Sequence, residues 1–192
     1  GQWTGWRPRH MVGQSLSGKL LGLVGFGRIA QATAQRAAAF GMRLGYSTRR
    51  RATPEIEARF GVTYFPTLND LATEADVLSL HTPGGPETRH LINAERLALM
   101  KPTAILINTS RGSVIDEAAL AEALAANRIA GAGLDVFERE PTVNPALLAL
   151  ENVVLLPHLG SATIEARTRM GMQAAENLDA FFNGAEPPDR VV

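Results

Sequence analysis

The chain has 192 residues, 45% hydrophobic and 20% charged, close to globular averages, which argues against a disordered or fibrous class. Its 19 Lys and Arg balance 19 Asp and Glu, so composition gives no case for a nucleic-acid or membrane-surface partner. The absence of Cys removes disulfides, thiolate nucleophiles and Cys-ligated zinc, and with four His no metal is expected.

The opening GQWTGWRPRH lacks the apolar centre of a signal peptide. No apolar run reaches bilayer-spanning length, so a cytoplasmic protein is expected. The first residue is Gly1 rather than Met, which suits a piece of a longer protein. Short apolar runs predict strands at Leu20–Gly25, Met42–Tyr46, Asp76–His81, Ala104–Thr109, Ile129–Val136 and Val153–Pro157. Helical patterns fall at Arg28–Phe40, Leu68–Ala75, Ala94–Met100, Asp116–Asn127, Pro145–Leu150 and about Ile164–Phe182. Asp116 is placed to cap its helix, with Glu117 favourably set in the first turn. In the last helix Ala166, Met170, Ala174, Leu178 and Phe181 form an apolar stripe that reads as core or interface.

Apolar strands alternating with helices predict an α/β fold, a doubly wound parallel sheet with flanking helices. One domain is expected over residues 15–182, preceded by an arm at 1–14 and followed by a tail at 183–192. Arm and tail both look built to dock on something else.

Between the first strand and first helix stands Gly25-Phe-Gly27-Arg-Ile-Ala30, which matches G-x-G-x-x-G/A in the strand–turn–helix setting of a Rossmann dinucleotide site. Gly25 permits the turn, Gly27 clears space for a diphosphate, and Ala30 allows close helix packing. The amides of Arg28 and Ile29 are then available to phosphate oxygens. A bland βα turn is the competing reading of the motif alone.

About twenty residues on, where an acidic residue would hold a ribose hydroxyl, the chain reads Ser47-Thr48-Arg49-Arg50-Arg51. Ser47 can donate to a phosphate, and Arg49 and Arg50 can pair with its charge, so NADP(H) is favoured and NAD(H) remains possible. A solvated basic loop explains the arginines but not the missing acid.

In open α/β sheets ligands bind beyond the carboxyl ends of the strands. The predicted strands end on the glycine loop, Ser47, His81-Thr82-Pro83, Thr109-Ser110-Arg111-Gly112, Asp135 and Pro157-His158. Arg111 has a fork for a carboxylate, His158 titrates near neutral pH, and Glu140 is available to hydrogen-bond its second ring nitrogen. Such a pair suits a general acid serving a carbonyl oxygen. Taken singly, each is equally a surface arginine, a loop glutamate or a strand-capping histidine.

These motifs, with Gly133-Leu134-Asp135-Val136-Phe137-Glu138-Arg139-Glu140-Pro141 and Pro157-His158-Leu159-Gly160, come in an order that resembles the cofactor-binding domain of the D-isomer-specific 2-hydroxyacid dehydrogenases, from about Trp6 to the C-terminus. The resemblance implies that Arg111, Glu140 and His158 are catalytic and that Asp135 orients the nicotinamide. It implies carboxamide contacts at Gly160 and Ser161 and adenine-side contacts at His81, Thr82 and Pro83. The Ser-Thr-Arg-Arg segment looks like the NADPH-preferring glyoxylate and hydroxypyruvate reductase branch, and Glu140 is unlike the Gln of the formate dehydrogenase branch. A small 2-keto acid reduced to a D-2-hydroxy acid is therefore the expected chemistry. The Trp3–Trp6–Pro8 segment resembles a dimerisation arm, so a homodimer is expected. Most of a family member's substrate domain would precede Gly1, so the 192 residues alone are expected to bind coenzyme and turn over poorly. Two other readings stand beside this one: a dinucleotide-sensing, corepressor-like interaction module, and a phosphoglycerate- or phosphite-type dehydrogenase.

Overall fold

Among the described residues, 3–10 and 12–191, seven parallel strands form one sheet in this computed structural model. In chain order the elements are β1 (Leu20–Val24), α1 (Arg28–Ala39), β2 (Arg43–Ser47), α2 (Pro54–Phe60), β3 (Val62–Tyr64), α3 (Leu68–Glu74) and β4 (Val77–Leu80). Then follow α4 (Ala94–Leu99), β5 (Ile105–Asn108), α5 (Glu117–Ala125), β6 (Gly131–Leu134), α6 (Pro145–Leu148), β7 (Val153–Leu155) and α7 (Ile164–Phe182). The strand order β3-β2-β1-β4-β5-β6-β7 makes the sheet doubly wound, as the alternating pattern predicts. The chain leaves β1 in one direction and returns to its other side at β4, so a crevice opens where the tips of β1 and β4 meet.

Side-chain alternation along β1 explains the two layers. Leu21 and Leu23 pack with Ala30, Ala34 and Ala37 of α1. Val24 joins Leu71, Ala72, Leu78 and Leu106 on the opposite face. Gly22 also faces α3, where a Cβ would lie 3.0 Å from Leu71 and Ala75, so the missing side chain sets that helix close to the sheet. Asp116 caps α5 as expected, accepting the Ala119 amide at 3.1 Å.

The predicted strands lose one or two residues at their ends, except that β2 lies one residue later than expected and takes in Ser47, and α2 and β3 were not expected. β3 is a three-residue edge strand paired only with β2, so it needs no apolar run. α2 does carry local signals: Pro54 at its first turn, Glu55 and Glu57 beside the positive end, and Gly61 in the left-handed region at its close. The apolar stripe of α7 proves not to be core, since no residue of that helix is buried. Met170, Leu178 and Phe181 are 57–64% exposed. The tail folds back along α7, with Asn177 donating to Asp189 and accepting from its amide. Of the predicted arm and tail, residues 1, 2, 11 and 192 lie outside the described residues. Among the described residues no helix is long and apolar enough to cross a membrane.

Candidate active site and coenzyme cleft

Backbone hydrogen bonds tie the strand tips into one row. The Gly25 amide donates to Ser47 O at 2.8 Å and the His81 amide to Val24 O at 2.8 Å. Farther along, the Asp135 amide donates to Asn108 O and the His158 amide to Asp135 O, both at 2.9 Å. Register therefore delivers the polar residues that end successive strands to a single edge.

Gly25 has φ +90°, and a Cβ there would press to 2.9 Å from His81 O, so the bend requires glycine twice over. Gly27 differs: a Cβ would meet nothing within 4 Å, so its bareness leaves open space. Gly27 also caps α1 without a side-chain acceptor, as a helix end that receives an external anion would. Two clefts open here and share His81, Thr82 and Pro83. One, of about 390 Å³, runs past Gly25, Gly27, Ser47, Thr48, Arg49 and Glu87. The other, of about 550 Å³, continues past Ile29, Gly84, Thr109 and Ser110 to Arg111. The Thr82 hydroxyl is buried and has no hydrogen-bond partner among the described residues. His81 meets Ser79 Oγ at 3.0 Å, and burial pulls its pKa down to about 4, so it lines both clefts as a neutral ring.

The three arginines of this run part company, and Arg49 and Arg50 are the two expected at the coenzyme. Arg49 lines the first cleft and pairs with Glu87 at its mouth. Arg51 turns away to bind Glu57 through two 2.8 Å bonds, and Glu57 also accepts from Tyr46 Oη. Arg50 is exposed and lines neither cleft. Arg28 is likewise outside both linings, whereas its neighbour Ile29 is in one.

Beyond β5, Asn108 organises the turn that presents Arg111. It accepts from the Ser110 amide and hydroxyl and donates to Arg111 O at 3.0 Å. Arg111 is exposed, with one guanidinium nitrogen donating to Ser110 O at 2.6 Å. Gly112 lies flat against the next loop: a Cβ would fall 1.9 Å from the Phe137 carbonyl carbon. That approach brings Arg111 to the segment carrying Glu140.

Glu140 Oε2 lies 2.8 Å from His158 Nδ1, and Oε1 accepts the Phe137 amide at 3.0 Å. The His158 bond, then the Phe137 amide, hold the Glu140 carboxyl below the usual carboxylate range, and the Arg111 charge adds to them. His158 has φ +54°, a left-handed conformation that histidine tolerates better than most residues. The Asp135 carboxylate accepts the Leu159 amide at 2.6 Å and the Gly160 amide at 2.8 Å. Asp135 is thus buried and fixes the loop that aims His158, with Ser161 just beyond.

The sequence profile described as "D-isomer specific 2-hydroxyacid dehydrogenase, NAD binding domain" matches residues 1–160. The chain belongs to the D-isomer-specific 2-hydroxyacid dehydrogenase family. It is 52% identical over 195 residues to the glyoxylate reductase of Thermococcus litoralis, covering 100% of this chain and 58% of that protein. A solved protein from Thermus thermophilus superposes with a TM-score of 0.92 at 48% identity, over 100% of this chain and 60% of that one. An NADPH-dependent glyoxylate/hydroxypyruvate reductase from Sinorhizobium meliloti, solved with NADP and malonate, gives 0.87 at 44% identity, over 93% and 54%. The chain thus spans about three-fifths of the length of the curated relatives it matches.

A nicotinamide dinucleotide fits the residues present in this family domain. The uncapped first turn of α1 and the open space at Gly27 adjoin one two-part trough, and Thr82, whose buried hydroxyl is unpartnered among the described residues, lines both parts of it. Glu87 escaped the sequence reading, and Glu117 entered it only as a helix-dipole acid. Glu87 lies in a polar loop with no periodic signal, and Glu117 reads as an ordinary first-turn acid until its burial is seen.

Proposed function

We propose that this chain is the coenzyme-binding part of an NADP(H)-dependent reductase that converts a small 2-keto acid, such as glyoxylate or hydroxypyruvate, to the D-2-hydroxy acid. The Glu140–His158 pair, with the Arg111 charge acting on it, carries this reading. The names of the relatives support it.

When bound, the nicotinamide supplies hydride to the substrate's keto carbon. Arg111 holds the substrate carboxylate, since a guanidinium fork matches two oxygens and the exposed side chain lines the second cleft with one nitrogen on Ser110 O. His158 in its protonated form donates from Nε2 to the carbonyl oxygen, because Nδ1 is engaged by Glu140. Glu140, its pKa held down chiefly by the His158 bond, stays anionic and keeps the ring oriented. Gly25, Gly27, Arg28 and Ile29 receive the diphosphate. His81, Thr82 and Pro83 take the adenosine side, and Thr109, Ser110, Asp135, Gly160 and Ser161 take the nicotinamide side. Ser47 and Arg49 receive the 2′-phosphate, with Arg50 adding charge from outside. The 192 residues bind coenzyme, and turnover belongs to the protein at the length of its relatives. Trp3 and Trp6, 74% and 80% exposed, are what a homodimer in the cytoplasm would cover.

The test is the full-length protein with NADPH and glyoxylate, hydroxypyruvate or pyruvate. Loss of reduced-nicotinamide absorbance is expected. Tight coenzyme binding without turnover of any keto acid would point instead to a sensing module.

A further inference from the structure

Glu117 opens α5, a place where an exposed acid already suits the helix dipole. It is instead 7% exposed, and burial pushes its pKa up. A carboxylate held out of water needs a donor, and Glu117 Oε1 takes the Glu138 backbone amide at 2.5 Å. The Glu138 side chain itself meets Arg89 at 2.7 Å and His90 at 2.8 Å. These groups line a cleft of about 440 Å³ whose lining does not include His158's partner Glu140.

We propose that Glu117 is a positioning residue: by accepting the Glu138 amide it fixes the Phe137–Glu140 turn, so that Glu140 keeps one oxygen on the Phe137 amide and the other on His158 Nδ1. The proposal rests on the reading in which Glu140 and His158 do the chemistry. Three anchors surround the same few atoms. Gly112 packs beneath the Phe137–Glu138 peptide, Glu117 holds the amide of that peptide, and Arg89 and His90 hold the next side chain. Glu140 follows two residues later, so a slip at the Glu138 amide moves its carboxylate directly. Only Glu117 among these anchors acts on the backbone through a side chain that substitution can remove while leaving every other contact of the turn in place.

The experiment compares Glu117→Ala, Glu117→Asp and Glu117→Gln in the full-length protein. Ala lacks the acceptor and Asp falls a methylene short, so kcat should drop about 10- to 100-fold, with the dissociation constant for NADPH unchanged. Gln retains an acceptor oxygen and should restore most of kcat. A second readout is the side-chain carboxyl carbon of Glu140 in protein carrying labelled glutamate. Its titration should move up to the ordinary carboxylate range in the Ala and Asp variants and stay near wild type in Gln. If Ala does not fold, Asp carries the comparison. Wild-type kcat and an unmoved Glu140 titration in a folded Ala or Asp variant would overturn the proposal, as would a Gln variant as damaged as Ala. If the wild-type protein reduces no keto acid, the functional reading fails, and the Glu140 titration alone still decides what Glu117 does.

Discussion

The Glu140 carboxylate joins two segments at once, meeting His158 Nδ1 at 2.8 Å with one oxygen and the Phe137 amide at 3.0 Å with the other. The second bond stops the carboxylate from rotating away from the first. The ring is oriented by its own backbone as well, since the His158 amide is tied to Asp135 O and the following amides to the Asp135 carboxylate. Replacing His158 with Gln should remove most of a general-acid contribution of about 10²–10⁴-fold in kcat. Glu140→Gln should lower kcat less and flatten the pH profile. Retention of full turnover and an unchanged profile in the His158 variant would refute the assignment.

Arg49 and Glu87 share the mouth of the first cleft, so a 2′-phosphate must compete with a carboxylate for the guanidinium. Arg49→Ala should weaken NADPH binding about tenfold or more, the size of one lost charge-assisted bond, and leave NADH within about twofold. Arg50→Ala should do less, because that residue lines neither cleft. Glu87→Gln should tighten NADPH selectively. Titration calorimetry at two salt concentrations measures all three, and tighter binding of NADH than NADPH by the unmodified chain would overturn the coenzyme reading.

Gly112 and Gly27 should respond oppositely to a single methyl. At Gly112 the added carbon would overlap the Phe137–Glu138 backbone, which has no flexible end to give way. Gly112→Ala should therefore destabilise by about 1–3 kcal/mol or more and reduce kcat through the displaced Glu140 turn. Gly27 has φ −76° and open space around it. Gly27→Ala should keep the wild-type Tm and lose coenzyme affinity. Thermal melts with and without NADPH separate the two.

His81 links stability to pH. Its folded pKa is drawn from an ordinary 6.5 down to about 4 by burial, so the unfolded chain binds the extra proton between those values. Stability should be full above about pH 6.5 and decline as pH falls towards about 4, with a slope of up to about one proton. Glu140 acts lower on the scale: its depressed pKa contributes stability above the ordinary carboxylate range, and this is lost as pH falls through the folded value. Urea midpoints from pH 7 to pH 4 should show the decline, and His81→Gln should flatten it. An unchanged slope in that variant would remove His81 as the cause.

The sequence by itself determined the doubly wound sheet, the glycine bend and the order in which polar residues end the strands. Those features depend on neighbours: an apolar run makes a buried strand, and G-x-G-x-x-A makes a bend wherever it follows one. It missed β3 because a three-residue edge strand buries too little to leave a pattern. Only the tertiary structure decided which side chains meet. Arg49 and Arg51 are two residues apart, yet one faces the cleft and the other closes on Glu57. Glu140 finds His158 18 residues away, and Glu117 finds Glu138 21 away. Such pairings follow from strand register and from the close approach at Gly112, and neither is written in any local stretch of chain. α7 completes the contrast: its periodicity announces a helix with an apolar face, and packing alone shows that none of the described residues buries it.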